Sequence, residues 1–156
     1  MKGNEKLVKK LDELLADELT AIMQYMVHSE MCANWGYDKL HQSVEKRAMQ
    51  EMGHAEKLIS RIIFLEGTPT VSKLNPISIG ADVPKQLQSD LQSELGAVTM
   101  YNEVIHLADE VGDAATRNLL ESILKDEDQH VDWLEEQLDQ IAQLGAPLYL
   151  TTQTRA

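Results

Sequence analysis

At 156 residues and a formal net charge of −12, the chain is long enough for one sizeable core, and its excess of acid excludes nucleic acid and anionic membrane surfaces as natural partners. Leu, Ala, Glu, Gln and Lys abound while glycine (8 residues), proline (4) and aromatics (4%) are scarce, a composition that favours helix. The single cysteine, Cys32, excludes an intrachain disulfide and cysteine-rich metal ribbons; it reads as packing in a reducing compartment.

No apolar leader follows the first residues, and the most apolar stretch, around Leu58 to Leu65, is broken by Ser60 and Arg61. The expectation is a cytoplasmic protein with no membrane segment. From about residue 5 to 34, Leu7, Leu11, Leu14, Leu15, Ile22 and Tyr25 recur at helical spacing, which predicts a first long helix. Gly36 then stops it and Asp38 is expected to cap a second helix over 38–66. Residues 67–82 carry Pro69, Asn75, Pro76 and Gly80 without periodicity and read as an extended connection. A third helix is expected over 83–110, with Pro84 in its first turn, a fourth over 114–144, and a short one over about 147–154.

Short links make two antiparallel hairpins. A helix of roughly 28 residues is about 42 Å long, and an extended link of some 16 residues reaches about 50 Å, so the connection can climb the whole bundle and leave the second and third helices parallel. A linker between two separate units is the competing reading, but neither hairpin buries its apolar face alone. One domain over 1–156 follows.

One spacing occurs twice. Glu18 precedes Glu51 by 33 residues and His54 follows three later; Glu94, Glu127 and His130 repeat the pattern at an offset of 76. Leu19, Ala21 and Tyr25 reappear at the same offset as Leu95, Ala97 and Tyr101. Counting from the hairpin turns places all six ligand types at mid-height, and residues three apart share a helix face. Any one of these acids fits a solvated surface. Six at matched height would cost several kcal/mol each if buried without compensation, so a metal pair or a proton-sharing network must satisfy them. Carboxylates with imidazole and no thiolate suit iron or manganese, or zinc as an occupant.

Around the six, Tyr25 and Tyr101 are expected either to donate to a carboxylate shared by both metals or to be ordinary core tyrosines. Asp126 is expected to steady the His of the opposite motif, His54, and its counterpart Gln50 to do so less strongly for His130. Met52 lies about 100° around its helix from Glu51 and points away from the metal core. With Leu19, Met23, Met26, Ile59 and Ile63 it forms an apolar flank that a symmetric helix-face dimer would cover. His28, His41 and His106 fall outside the register and are expected on the surface.

At these motifs the chain resembles the bacterioferritins. The likeness runs through Asn34-Trp35-Gly36, Glu51-Met52-Gly53-His54-Ala55, Phe64-Leu65-Glu66-Gly67, Asp126-Glu127-Asp128-Gln129-His130 and Asp132-Trp133-Leu134-Glu135. The resemblance implies an all-α fold, a ferritin-like four-helix bundle with a long crossover and a short C-terminal helix. It implies a ferroxidase centre of two Fe per subunit in which Glu51 and Glu127 bridge, Glu18 with His54 and Glu94 with His130 completing each side. It further implies Met52 as axial ligand of a haem b shared between two subunits, twofold dimers building a large hollow cage, O2 or H2O2 as oxidant, and a ferredoxin-type reductant for iron release. Asn34, Glu66, Asp132 and Asp139 match polar positions that line pores between subunits. Lys46 and Gln50 depart from the family: some members carry a His and an Asp there that bind an inner-surface iron, and that site is doubtful here.

The resulting expectation is an iron-storage ferroxidase. A rubrerythrin- or manganese-catalase-like peroxide-consuming bundle is the nearest alternative, although the first would need a cysteine-rich module. A non-catalytic, metal-stabilised helical assembly is the other.

Overall fold

The computed structural model describes residues 1–155, and the chain is all-α: α1 (Glu5–Asn34), α2 (Asp38–Phe64), α3 (Val83–Glu110), α4 (Ala114–Leu144) and the short α5 (Ala146–Thr151). The buried positions follow a three–four alternation, broken on α2 by Arg47 and His54, which are buried beside the seam. On α2 they include Val44, Ala48, Glu51, Ala55, Leu58 and Ile62, and on α4 Leu120, Ile123, Glu127, His130, Leu134 and Gln137. That spacing keeps one seam facing the bundle axis and packs helices roughly 20° from antiparallel. The α1/α2 and α3/α4 hairpins each pack along their length, α1 meets α3, and α2 meets α4. Glu51, Glu127 and His130 therefore occupy seam positions where a purely structural bundle would carry leucine or alanine.

Both hairpin turns use a left-handed glycine, Gly36 at φ 82° and Gly112 at φ 76°, so the 76-residue repeat extends to the turns. The cap of α2 differs from the expectation. Tyr37 holds the N-cap position without a side-chain cap, and Asp38 is the first helical residue, where its charge still favours the helix N-terminus. The same helix ends at Phe64 rather than 66, because Glu66 turns left-handed at φ 64° and Gly67 N–H returns to the Ile62 carbonyl.

The crossover runs up α1. Thr70 N–H donates to Asp12 (2.7 Å), Asn75 N–H to Thr20 Oγ1 (2.8 Å), Ser78 N–H to Gln24 (3.2 Å) and Gly80 N–H to His28 Nε2 (3.0 Å). These partners stand four or eight residues apart along one stripe of the helix, so four backbone donors of a segment with no ladder of its own are satisfied by side chains. At the top, α5 sinks Tyr149 among Cys32, Leu40, Val83, Leu87 and Leu134, with its hydroxyl donated to Gln137 at 2.7 Å. Burial pushes the Cys32 thiol up to about 11, in keeping with a packing role. No helix among the described residues is long and apolar enough to cross a membrane.

Candidate metal centre

Each helix contributes one acid at mid-height: Glu18 from α1, Glu51 from α2, Glu94 from α3 and Glu127 from α4, all no more than 2% exposed. His54 and His130, one turn beyond Glu51 and Glu127, are 2% and 8% exposed. Four of these six form one convergent cluster, Glu18, Glu51, His54 and Glu127. His54 Nδ1 lies 3.3 Å from Glu127 Oε1, 3.6 Å from Glu51 Oε2 and 3.7 Å from Glu18 Oε2. Its other nitrogen, Nε2, donates to Asp126 Oδ2 at 2.9 Å. A neutral ring held that way turns the Nδ1 lone pair toward the acids, the orientation a metal ligand requires. Glu18 Oε2, His54 Nδ1 and Glu127 Oε1 are buried without a hydrogen-bond partner among the described residues. Such convergent ligand atoms fit a divalent cation that displaces the protons they otherwise carry.

The other side differs. Glu94 and His130 lie together, His130 Nδ1 being 2.9 Å from Glu94 Oε1, but they do not join a convergent cluster with Glu51 and Glu127. The buried guanidinium of Arg47 stands among them. Its Nη2 lies 2.6 Å from Glu51 Oε1, 2.8 Å from Glu127 Oε2 and 3.4 Å from Glu94 Oε2, while Nη1 donates to Gln50 (2.7 Å) and the Asp126 carbonyl (3.3 Å). Arg47 escaped the sequence reading. Its position at +76 is Ile123, so a break in the repeat was the available signal.

The flanking residues need two corrections. Gln50 accepts from Arg47 and makes no hydrogen bond to His130 among the described residues. The tyrosines reach the outer acids, across the hairpins: Tyr101 O–H donates to Glu18, and Tyr25 O–H donates to Glu94. Neither donates to Glu51 or Glu127 among the described residues, the acids that the resemblance assigns as bridges. Burial, reinforced by the neighbouring Glu94 and Glu18, keeps both phenols protonated and hence donors. His130 is held edge-on to Tyr25 and stacked on Trp133, with ring centroids 5.5 and 5.9 Å away.

The metal-free charges are strongly shifted. Burial alone would lower His54, but the acids crowded around Nδ1, Glu127 and Glu18 first, outweigh it and lift the imidazole to about 10, so without a cation Nδ1 carries a proton that metal binding displaces. Burial, with hydrogen bonding to Glu94, pushes Glu127 up, so it holds a proton at neutral pH. Glu94 moves the opposite way: burial opposes its charge, but hydrogen bonds from Glu127 and His130 and the Arg47 charge hold it ionised. Burial pushes His130 down. The centre thus stores protons that a cation would displace.

His28 is a further correction. It is fully buried, accepts from Gly80 N–H through Nε2 and therefore donates through Nδ1 to Asp90 at 2.9 Å, tying α1, α3 and the crossover together. His41 is partly buried, with Nδ1 2.9 Å from Ser29 Oγ, and His106 is exposed. Met52 lies on the outer flank of α2 and is 43% exposed, near Met23 (40%) and Met26 (50%) in exposure.

A model of the ferritin-like domain matches residues 8–144. The bacterioferritin of Rhodobacter capsulatus is 42% identical over 145 residues, covering 93% of this chain and 90% of that one. The bacterioferritin of Brucella melitensis is 39% identical over 149 residues (96% and 92%), and the bacterial ferritin of Synechocystis sp. is 40% identical over 154 (98% and 99%). With likeness of that extent laid over four crossed helices and a buried acid–imidazole centre, the chain belongs to the ferritin-like family and, within it, to the bacterioferritins.

Proposed function

We propose that the chain works as one domain in an iron-storage ferroxidase of the cytoplasm, with Fe(II) as substrate and a ferric mineral kept inside a hollow shell of many copies. The observation that carries this is the set of buried, unpartnered atoms Glu18 Oε2, His54 Nδ1 and Glu127 Oε1 on one side of a duplicated ligand frame. Glu18, Glu51, His54 and Glu127 would hold one Fe(II), and Glu94 and His130 would join Glu51 and Glu127 around the other. Two Fe(II) give one electron each; O2 takes the pair with two protons and leaves as H2O2, or H2O2 takes it with two protons and leaves as two waters. Hard, anionic carboxylates favour the ferric product over Fe(II), which supplies driving force. Asp126 keeps the His54 ring in its ligating tautomer, and Tyr101 and Tyr25 hold Glu18 and Glu94 in place.

The haem proposal rests on the chemistry of Met52. Its thioether is a suitable axial ligand for haem iron and lies in an open apolar flank beside Gly53, where an added Cβ would meet nothing within 4 Å. Met52 from two copies would hold one haem b between them, and the bound group would supply a path for electrons to the stored mineral. A ferredoxin-type protein is the proposed source of those electrons.

Glu51→Ala and His130→Ala each remove a proposed ligand without touching the outer surface. Fast Fe(II) oxidation, followed by ferric absorbance after mixing with O2 or H2O2, is expected to slow by more than about 100-fold, beyond what loss of a ligand's outer partner costs. Particle size by sedimentation is expected to be unchanged. Wild-type rates in either variant would remove the assignment.

A further inference from the structure

The two halves of the centre are built on one repeat, yet only one is poised to receive a cation. At the first half the imidazole Nδ1 is turned inward, and Glu18 Oε2, His54 Nδ1 and Glu127 Oε1 have no hydrogen-bond partner among the described residues. At the second, a fixed positive charge already spans Glu51, Glu94 and Glu127, and His130 Nδ1 is engaged with Glu94. The repeat supplies an internal control, because the position equivalent to Arg47 is Ile123, a fully buried aliphatic residue.

We propose that Arg47 is a displaceable counter-cation: it holds the second half of the centre closed, and the two halves therefore fill in a fixed order. The first ion enters at Glu18, Glu51, His54 and Glu127, and the second binds at Glu94 and His130 only once the guanidinium has withdrawn. This rests on the reading of the centre as a two-cation site.

Three features of Arg47 fit withdrawal. A divalent ion and a guanidinium cannot share the same oxygens of Glu51 and Glu127, since like charges at that distance repel strongly in a buried site. The Arg47 Nε is buried without a partner among the described residues, so its present seat leaves one donor unused. A cavity of about 250 Å³ adjoins it between α2 and α4, lined by Lys46, Gln50, Asp126, Gln129, His130 and Trp133; the Asp126 and Gln50 oxygens there can receive the guanidinium, and Lys46 is the competing cation. Nη1 already bonds Gln50 and the Asp126 carbonyl on that side, so a side-chain rotation suffices to carry the charge outward. Arg47 here is a positioning residue, acting through the acids it occupies.

The test uses the assembled, metal-free protein and Co(II), which is not oxidised under anaerobic conditions and reports its coordination by visible absorption. Wild-type protein is expected to bind two Co(II) per chain in two classes at least about tenfold apart in affinity. Arg47→Met is expected to tighten the weaker class by about tenfold or more, so that the classes merge, while the tighter class stays within about twofold. An unchanged or weakened second class in Arg47→Met, or two indistinguishable classes in the wild type, would overturn the proposal. Fewer than two Co(II) per chain in both wild type and Arg47→Met would instead overturn the two-cation reading beneath it. Should the Met variant fail to assemble, a structure of Co(II)-loaded wild type decides: Arg47 turned out toward Gln50 supports the proposal, and Arg47 still seated on Glu51 and Glu127 beside two bound ions overturns it.

Discussion

Asp126 and Gln50 hold equivalent places in the repeat, but their side chains do different work. Asp126 accepts a hydrogen bond from His54 Nε2–H, whereas Gln50 accepts from Arg47, its neighbour one turn back. Asp126→Ala removes the acceptor and frees the ring to choose the wrong tautomer. Metal affinity at the His54 side is expected to fall by about 10–100-fold with the other side little changed, read as weakening of one class in a Co(II) titration. Equal weakening of both classes, or of neither, would remove that role from Asp126. The need of a ligating imidazole for a second partner made the Asp126 contact legible from sequence. The Gln50 contact was not, because it depends on Arg47, and an arginine on a helix rich in charge reads as surface until the fold shows which way it points. The tyrosines show the same boundary. Their position two turns beyond Glu18 and Glu94 suggested a hydrogen bond to a carboxylate, but the choice of Glu94 for Tyr25 and Glu18 for Tyr101 is set by how the hairpins dock.

Helices are the most legible elements in this chain, since long three–four periodicity, scarce proline and a glycine at each turn leave few other options. Their ends were less so. Tyr37 rather than Asp38 caps α2, and the left-handed Glu66 cuts that helix short, both matters of backbone geometry that residue type only weakly signals. The crossover was legible as extended but not as fastened. Its anchors Asp12, Thr20, Gln24 and His28 are polar residues along one stripe of α1, and from sequence such a stripe reads as a wet face. His28 was misjudged for that reason: the segment that buries it has no periodic signature. Gly80 closes this arrangement. A Cβ there would sit 2.2 Å from the Gln86 backbone nitrogen, a contact no side-chain rotation relieves. Gly80→Ala is expected to destabilise the chain by about 1–3 kcal/mol through overpacking, measured by chemical denaturation of the assembled protein. A change under about 0.5 kcal/mol would mean that the crossover yields there and is not fastened as described.

For the whole molecule, the exposed sulfurs and aliphatics of Met23, Met26, Met52 and Ile63 leave one flank of the α1/α2 hairpin open to water. A second copy related by a twofold axis is the proposed cover, with haem between the two Met52 side chains. Met52→Leu keeps the apolar character and removes the sulfur, so the expected outcome is an intact assembly with the haem absorption band lost and Fe(II) oxidation retained. Retention of the band would move the axial ligand elsewhere; loss of assembly would make the haem or the sulfur part of the interface itself. The two hairpins carry a different consequence inside each copy. Because the tyrosine of each holds the outer acid of the other, neither half-chain possesses a finished ligand set by itself. Metal capture should consequently emerge only when the halves clasp, and a chain cut within residues 67–82 would regain tight cation uptake in step with reassociation of its two fragments, making the bound ion a reporter of the last event in folding.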